Sequence, residues 1–197
     1  MTPIVVPFRG RNGKSRIEPE ALRVRLASAM LADVLAACTV VGPTVLATSD
    51  AAAGELAAEL GLEVVADPGS GQGAAVAAAL ATVPPGPVLV VNADCPCVLP
   101  HDLRSLAGAA EAGALALVEA ADGTTNALGL PDRSLFVSLY GSGSAVRFRD
   151  AAKANEVDFA SLAIPNLADD VDTLDDAFRI LLRAGPHTQA ALAGIDG

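Results

Sequence analysis

The sequence predicts an α/β fold, a mostly parallel sheet with helices on both faces. Two observations carry this. Short, nearly continuous apolar runs alternate with longer segments whose apolar residues recur at helical spacing, the pattern of parallel strands buried on both sides. The chain has 197 residues, enough for one domain with a full core, and shows neither a repeat nor a linker. We therefore expect one domain over residues 1–197.

The elements follow in order. "PIVVPF" (3–8) is a buried strand, and residues 20–37 carry apolar positions at helical spacing. "PTVLAT" (43–48) predicts a strand, "DAAAGELAAEL" (50–60) a helix and "LEVVA" (62–66) a strand. "DPGSGQG" is a glycine-rich turn leading into an alanine-rich helix over 74–82. "PGPVLVVNAD" is the clearest buried strand and ends on Asp94. A helix over 100–112 and the strand "ALALVEA" follow. Beyond residue 120 the pattern loosens. Strands are expected near 126–130 and 134–138, a helix from 144, a strand near 157–164 and a last helix from 174. In such sheets ligands bind beyond the carboxyl ends of the strands.

Composition narrows the chemistry. The net charge of −10 and the single tyrosine without tryptophan exclude a general nucleic-acid binder with an aromatic platform. No apolar run is long enough to span a bilayer, and no charged-then-apolar leader precedes Pro3. Three cysteines, an odd number, argue against a disulfide framework. The expectation is a cytoplasmic protein with no nucleic-acid and no membrane partner. Six of the thirteen basic residues lie within the first 25, namely Arg9, Arg11, Lys14, Arg16, Arg23 and Arg25. Arg147, Arg149 and Lys153 form a second cluster. Focused positive charge on an acidic protein suits small anionic ligands, while a solvated helix surface suits Arg23 and Arg25.

The stretch "GRNGKS" (10–15) imitates a phosphate-binding P-loop, but Phe8 occupies the position where that motif needs its first glycine. A Walker-type ATPase is excluded. A strand followed by a cationic loop still suits a polyphosphate.

Asp94 sits at the carboxyl end of a central strand, where it can hold a divalent cation or cap the following turn. In "DDVDTLDD", Asp170 and Asp172 are two residues apart. On an extended segment they share a face while Val171 points to the core. Their metal reading depends on Asp94 being near, and oxygen-only ligands then favour magnesium. Thr173 and Asp176 have the spacing of a capping box. "DGTTNAL" and "YGSGSA" are small-residue loops, suited either to ordinary turns or to an anion held by backbone N–H groups and hydroxyls. The histidines His101 and His187 form no visible catalytic triad, and Cys95 with Cys97 lack the further ligands of a zinc site.

Taken together, "VPFRGRNGKSRI", "DPGSGQGAAVAAAL", "VVNADCPCV", "DGTTNAL", "YGSGSAVRF" and "DVDTLDD" resemble the 2-phospho-L-lactate/phosphoenolpyruvate guanylyltransferases of coenzyme F-420 biosynthesis. These belong to the Rossmann-like nucleotide-diphospho-sugar transferase superfamily. The resemblance runs from about Pro3 to Asp176. It implies transfer of GMP from GTP to the phosphate of a small phosphorylated carboxylic acid, with release of pyrophosphate and use of Mg2+. It also implies roles. Arg9, Lys14 and Arg16 would hold the triphosphate, with Lys14 and Asp94 catalytic. Gly71 and Gly73 would face the base, and Asp94, Asp170 and Asp172 would bind the metal. Thr125, Gly141 and Ser144 would hold the acid, with the next enzyme of the pathway as a candidate partner. Three positions depart from the family pattern. Gln72-Gly73 stands for the usual Leu-Asn of the base-reading turn, Cys95 for the Leu of Asp-Leu-Pro, and Phe148 for a His. The first bears on guanine selectivity and the last on choice of acid. Rival readings are a molybdenum-cofactor or sugar-phosphate nucleotidyltransferase, whose Gly-Gly-x-Ser-type opening is absent, and a non-catalytic nucleotide-binding member, in which a metal ligand would be missing.

Overall fold

The computed structural model describes residues 1–10 and 16–193. A seven-stranded sheet is built from β1 (Ile4–Pro7), β2 (Thr44–Ala47), β3 (Glu63–Val65), β4 (Val88–Val91), β5 (Leu115–Glu119), β6 (Thr125–Leu130) and β7 (Phe159–Ser161). Their spatial order is β3-β2-β1-β4-β6-β5-β7. Every pairing is parallel except those of β6, which runs antiparallel to both β4 and β5. Val, Ile and Leu dominate β1 and β4, and each residue of these strands is buried, as a sheet covered on both faces requires.

Alternation along the strands divides the core in two. Ile4, Val6, Leu89 and Val91 face one layer, packed under α1 (Glu20–Thr39), α2 (Ala51–Glu59) and α4 (Pro100–Glu111). The short α6 (Pro165–Ala168), α7 (Leu174–Ile180) and α8 (Pro186–Ala193) complete that layer. Val5, Val88, Val90 and Leu128 face the other, under α3 (Gln72–Leu80) and α5 (Ser144–Ala154).

Three expectations are corrected. Residues 134–138 form no strand. Arg133–Leu135 is a 3-10 turn capped by Asp132, whose carboxylate accepts from Ser134 N at 2.8 Å. The apolar residues there pack as a cover instead: Leu135, Phe136, Leu139 and Tyr140 lie against the second core layer. Helix α3 begins at Gln72, two residues earlier than its alanine run suggests, because Gly71 at φ +109° turns the chain into it. The C-terminal helical region is two helices. α8 docks on α1, where the buried Asp33 carboxylate accepts from His187 N at 3.0 Å and Thr188 N at 2.8 Å. This is a helix N-terminus capped from 155 residues away.

Strand order reverses between β1 and β4, since β1 leads outward to β2 and β3 while β4 starts the opposite half. Such a switch point leaves a crevice beyond the strand ends.

Candidate active site

The crevice holds a cleft of about 230 Å³, lined by Phe8, Arg9 and Gly10 after β1 and by Asn92, Ala93 and Asp94 after β4. Gln72 of α3, Met30 of α1 and Asp172 complete the wall. Gly10 has φ +62°, and a Cβ there would lie 2.2 Å from the Asp50 carboxylate that caps α2. Only glycine lets the loop pass that cap.

Asp94, Asp170 and Asp172 converge: each offers a carboxylate oxygen, and these lie within 4.8 Å of one another. The local geometry is the one alternation predicts. Val171 is fully buried and its N–H donates to Asp94 O at 3.1 Å, which ties the 170–172 segment to the end of β4 and leaves its flanking carboxylates on one side. Asn126 Nδ2 donates to Asp170 Oδ1 and to Ala168 O, both at 3.2 Å. The neighbouring Asp169 is instead engaged by Arg179 and Arg183. An all-oxygen, three-carboxylate set suits a hard divalent cation, so the residues present fit such an ion. Thr173 and Asp176 form the expected capping box of α7. Burial pushes the Asp176 carboxyl up, but hydrogen bonds from the Thr173 hydroxyl and the Thr173 and Asp172 amides outweigh it and hold the group below its ordinary range.

Beside this lies a second polar centre. Thr125 Oγ1 and Ser144 Oγ are 2.9 Å apart and buried, and Ser144 N donates to Gly141 O at 3.0 Å. Gly141 at φ +107° and Gly143 at φ +68° shape the loop that brings Ser144 there. Arg147 is not a free cation of the basic cluster. Its guanidinium donates to the carbonyls of Leu139, Tyr140 and Ser142.

Of the residues singled out in the sequence, Arg9 lines the cleft and Arg16 occupies an exposed turn. Lys14 lies outside the described residues. Gly71 caps α3. Gly73 is buried in the first turn of α3, where a Cβ would sit 1.6 Å from Ser138 Oγ. Thr125, Gly141 and Ser144 do come together. Phe148 is a core residue, 1% exposed and packed edge-on against Tyr140 at 5.5 Å. Cys95 and Cys97 are buried and form no disulfide, and burial pushes the Cys97 thiol up. Sequence reasoning passed over Asn92 and Asn126. Asn92 Nδ2 donates to Thr125 O at 3.1 Å and its Oδ1 accepts from Gln72 Nε2 at 2.7 Å. The available signal was an amide side chain at a strand end, within "VVNAD" and "TTNAL".

The chain is similar to known proteins along nearly its whole length. Residues 2–192 match the family model "Guanylyl transferase CofC like". The chain is 37% identical to the phosphoenolpyruvate guanylyltransferase of Streptomyces coelicolor, over 96% of this chain and 95% of that one. It is 29% identical to the 2-phospho-L-lactate guanylyltransferase of Methanosphaerula palustris, over 98% and 90% respectively. Among solved structures it resembles a Desulfovibrio desulfuricans protein described as a nucleotide-diphospho-sugar transferase, with a TM-score of 0.78 at 15% identity, covering 100% of this chain and 96% of the other. A Mycobacterium tuberculosis protein, Rv0371C, solved in complex with manganese, superposes with a TM-score of 0.56 at 22% identity, over 91% of this chain and 96% of that one. With a family match along nearly its whole length, the chain belongs to the CofC-like guanylyltransferases.

Proposed function

We propose that this chain is a magnesium-dependent guanylyltransferase that moves GMP from GTP to the phosphate of phosphoenolpyruvate. The observation that carries the reading is the convergence of Asp94, Asp170 and Asp172 beside Arg9 in one cleft at the sheet's switch point. Phosphoenolpyruvate is preferred to 2-phospho-L-lactate because the relative named for it matches at 37% identity, against 29% for the one named for the lactate. Three buried cysteines without a disulfide suit a reducing compartment such as the cytoplasm.

In this reading a phosphate oxygen of the acid attacks the α-phosphorus of GTP. The bond to the bridging oxygen breaks and pyrophosphate leaves with the electron pair. A GMP–phosphoacid anhydride is the second product. Such a transfer asks mainly for positioning and charge stabilisation. Arg9, with Lys14 and Arg16 close by in sequence, would hold the triphosphate. Asp94, Asp170 and Asp172 would hold the cation, which supplies charge neutralisation on the phosphoryl oxygens. Asn126 keeps Asp170 oriented. Thr125 and Ser144, with the Gly141 loop, would bind the acid's phosphate or carboxylate, and Arg147 braces that loop through the carbonyls of Leu139, Tyr140 and Ser142. The test is incubation with GTP, Mg2+ and phosphoenolpyruvate, 2-phospho-L-lactate or 3-phosphoglycerate, followed by pyrophosphate assay and product mass. Absence of pyrophosphate release and of any nucleotide anhydride with every acid refutes the proposal.

A further inference from the structure

Three carboxylates held within 4.8 Å of one another repel, so the metal-free fold must keep them together through neighbouring groups. The triad sits on two separate limbs. Asp94 lies on the loop after β4, and Asp170 and Asp172 lie on the segment between α6 and α7. Residues 181–185, the turn between α7 and α8, touch both limbs. Gly185 N donates to Pro96 O at 2.9 Å, just beyond Asp94 in the chain. Arg183 Nη2 donates to the carboxylate of Asp169, the residue before Asp170, and Arg179 joins it there at 3.5 Å. Neither Arg183 nor Gly185 lines the cleft itself.

The turn is itself fixed. The buried Asp33 carboxylate of α1 accepts from His187 N at 3.0 Å and Thr188 N at 2.8 Å. Gly185 lies directly on that carboxylate, where an added Cβ would stand 2.3 Å from Asp33 Cγ. Gln189 Nε2 closes the turn's carbonyls, donating to Leu181 O at 3.2 Å and Ala184 O at 3.0 Å. A turn pinned to α1 and bonded to both limbs sets their spacing before any cation arrives. We propose that Arg183 is a positioning residue of the cation site: acting through Asp169, it holds the Asp170–Asp172 limb against the Asp94 limb and lowers the cost of gathering the three carboxylates. This rests on the reading of Asp94, Asp170 and Asp172 as cation ligands. The charge of Arg183 acts with the opposite sign, since a guanidinium near the site repels a dication. The direction of one substitution therefore separates the two roles.

The experiment titrates the full chain with Mn2+ and reads the free ion by electron paramagnetic resonance. Arg183→Met keeps an unbranched aliphatic stem and removes the guanidinium. It should bind Mn2+ about fivefold more weakly than wild type, the scale of a well-made, partly exposed ion pair. Arg183→Lys should return to within about twofold of wild type. Amide hydrogen exchange in EDTA gives a reading that needs no ion. In Arg183→Met the Val171 N–H, bonded to Asp94 O, should exchange about fivefold faster, while the Leu89 N–H, bonded to Pro3 O within the sheet, keeps its wild-type rate. Unchanged or tighter Mn2+ binding by Arg183→Met overturns the proposal. So does a Val171 rate that rises no more than that of Leu89, which is the mark of a merely structural role. Failure of the cation reading looks different: wild type then binds no Mn2+, and the proposal falls with that reading.

Discussion

Asp94→Asn separates a metal site from a structural aspartate. Carboxylate oxygens of the three aspartates lie within 4.8 Å of one another. At that distance two unit charges interact by about 0.9 kcal/mol in bulk water and about 3.5 kcal/mol at an effective dielectric constant of about 20. A dication among them doubles each term and reverses its sign, so neutralising Asp94 removes about 2–7 kcal/mol of attraction for the ion. That is at least about a twentyfold loss of affinity. Wild type held at about one hundred times its dissociation constant for Mg2+ gains about 2.7 kcal/mol, a rise in melting point of about 5–11 °C for a domain of this size. In Asp94→Asn the rise should shrink to about 4 °C or less, and pyrophosphate release should fall by two orders of magnitude or more. The metal-free melting point should change little, because the backbone bond from Val171 to Asp94 O survives the substitution. Differential scanning fluorimetry with EDTA and with Mg2+ reads both quantities. An undiminished Mg2+-dependent rise, or turnover within tenfold of wild type, refutes the argument.

Other outcomes follow from the packing. Gly73→Ala gains up to about 1 kcal/mol of helix propensity but drives a methyl into Ser138 Oγ. Overpacking costs about 1–3 kcal/mol, so urea denaturation should show net destabilisation that Ser138→Gly relieves. Asp33→Ala removes both acceptors from the start of α8 and should cost about 1–3 kcal/mol in the same assay. Arg147→Ala frees the carbonyls of residues 139, 140 and 142, and should raise KM for the acid more than KM for GTP. The pH dependence has a definite sign. Asp176 is held below the ordinary carboxylate value of 3.8, so its capping contribution is present above that pH and is lost as pH falls through the lower folded-state value. Asp176→Asn should flatten this part of the acid limb of a melting-temperature profile.

The first half of the fold was legible because periodicity and burial agree there: β1, β2 and β4 are unbroken apolar runs, and α1 and α4 carry helical spacing. "SLFVS" misled because an apolar run cannot declare whether it pairs with a strand or covers a core, and here Asp132 and Arg133 turn it into a cover. The split before α8 rests on Asp33, a contact spanning the molecule that no local pattern announces. Within the site, the i,i+2 relation of Asp170 and Asp172 was readable and their meeting with Asp94 was a condition that folding meets. The amide chain from Gln72 to Thr125 was hidden, since hydrogen-bond polarity belongs to three separate elements at once.

The reversal of β6 has a consequence for how such a protein can diversify. β1 and β4 deliver to the crevice the residues that follow them, whereas β6 delivers those at its beginning, Thr125 and Asn126. The segments that would grip the acid are therefore written together, in the stretch from residue 121 to 147, apart from the β1 loop and α3 that line the cleft. Exchange of that cassette between relatives leaves the β1 loop, Gln72 and the three aspartates in place. An enzyme of this architecture can acquire a new phosphorylated partner by altering one contiguous piece of its gene.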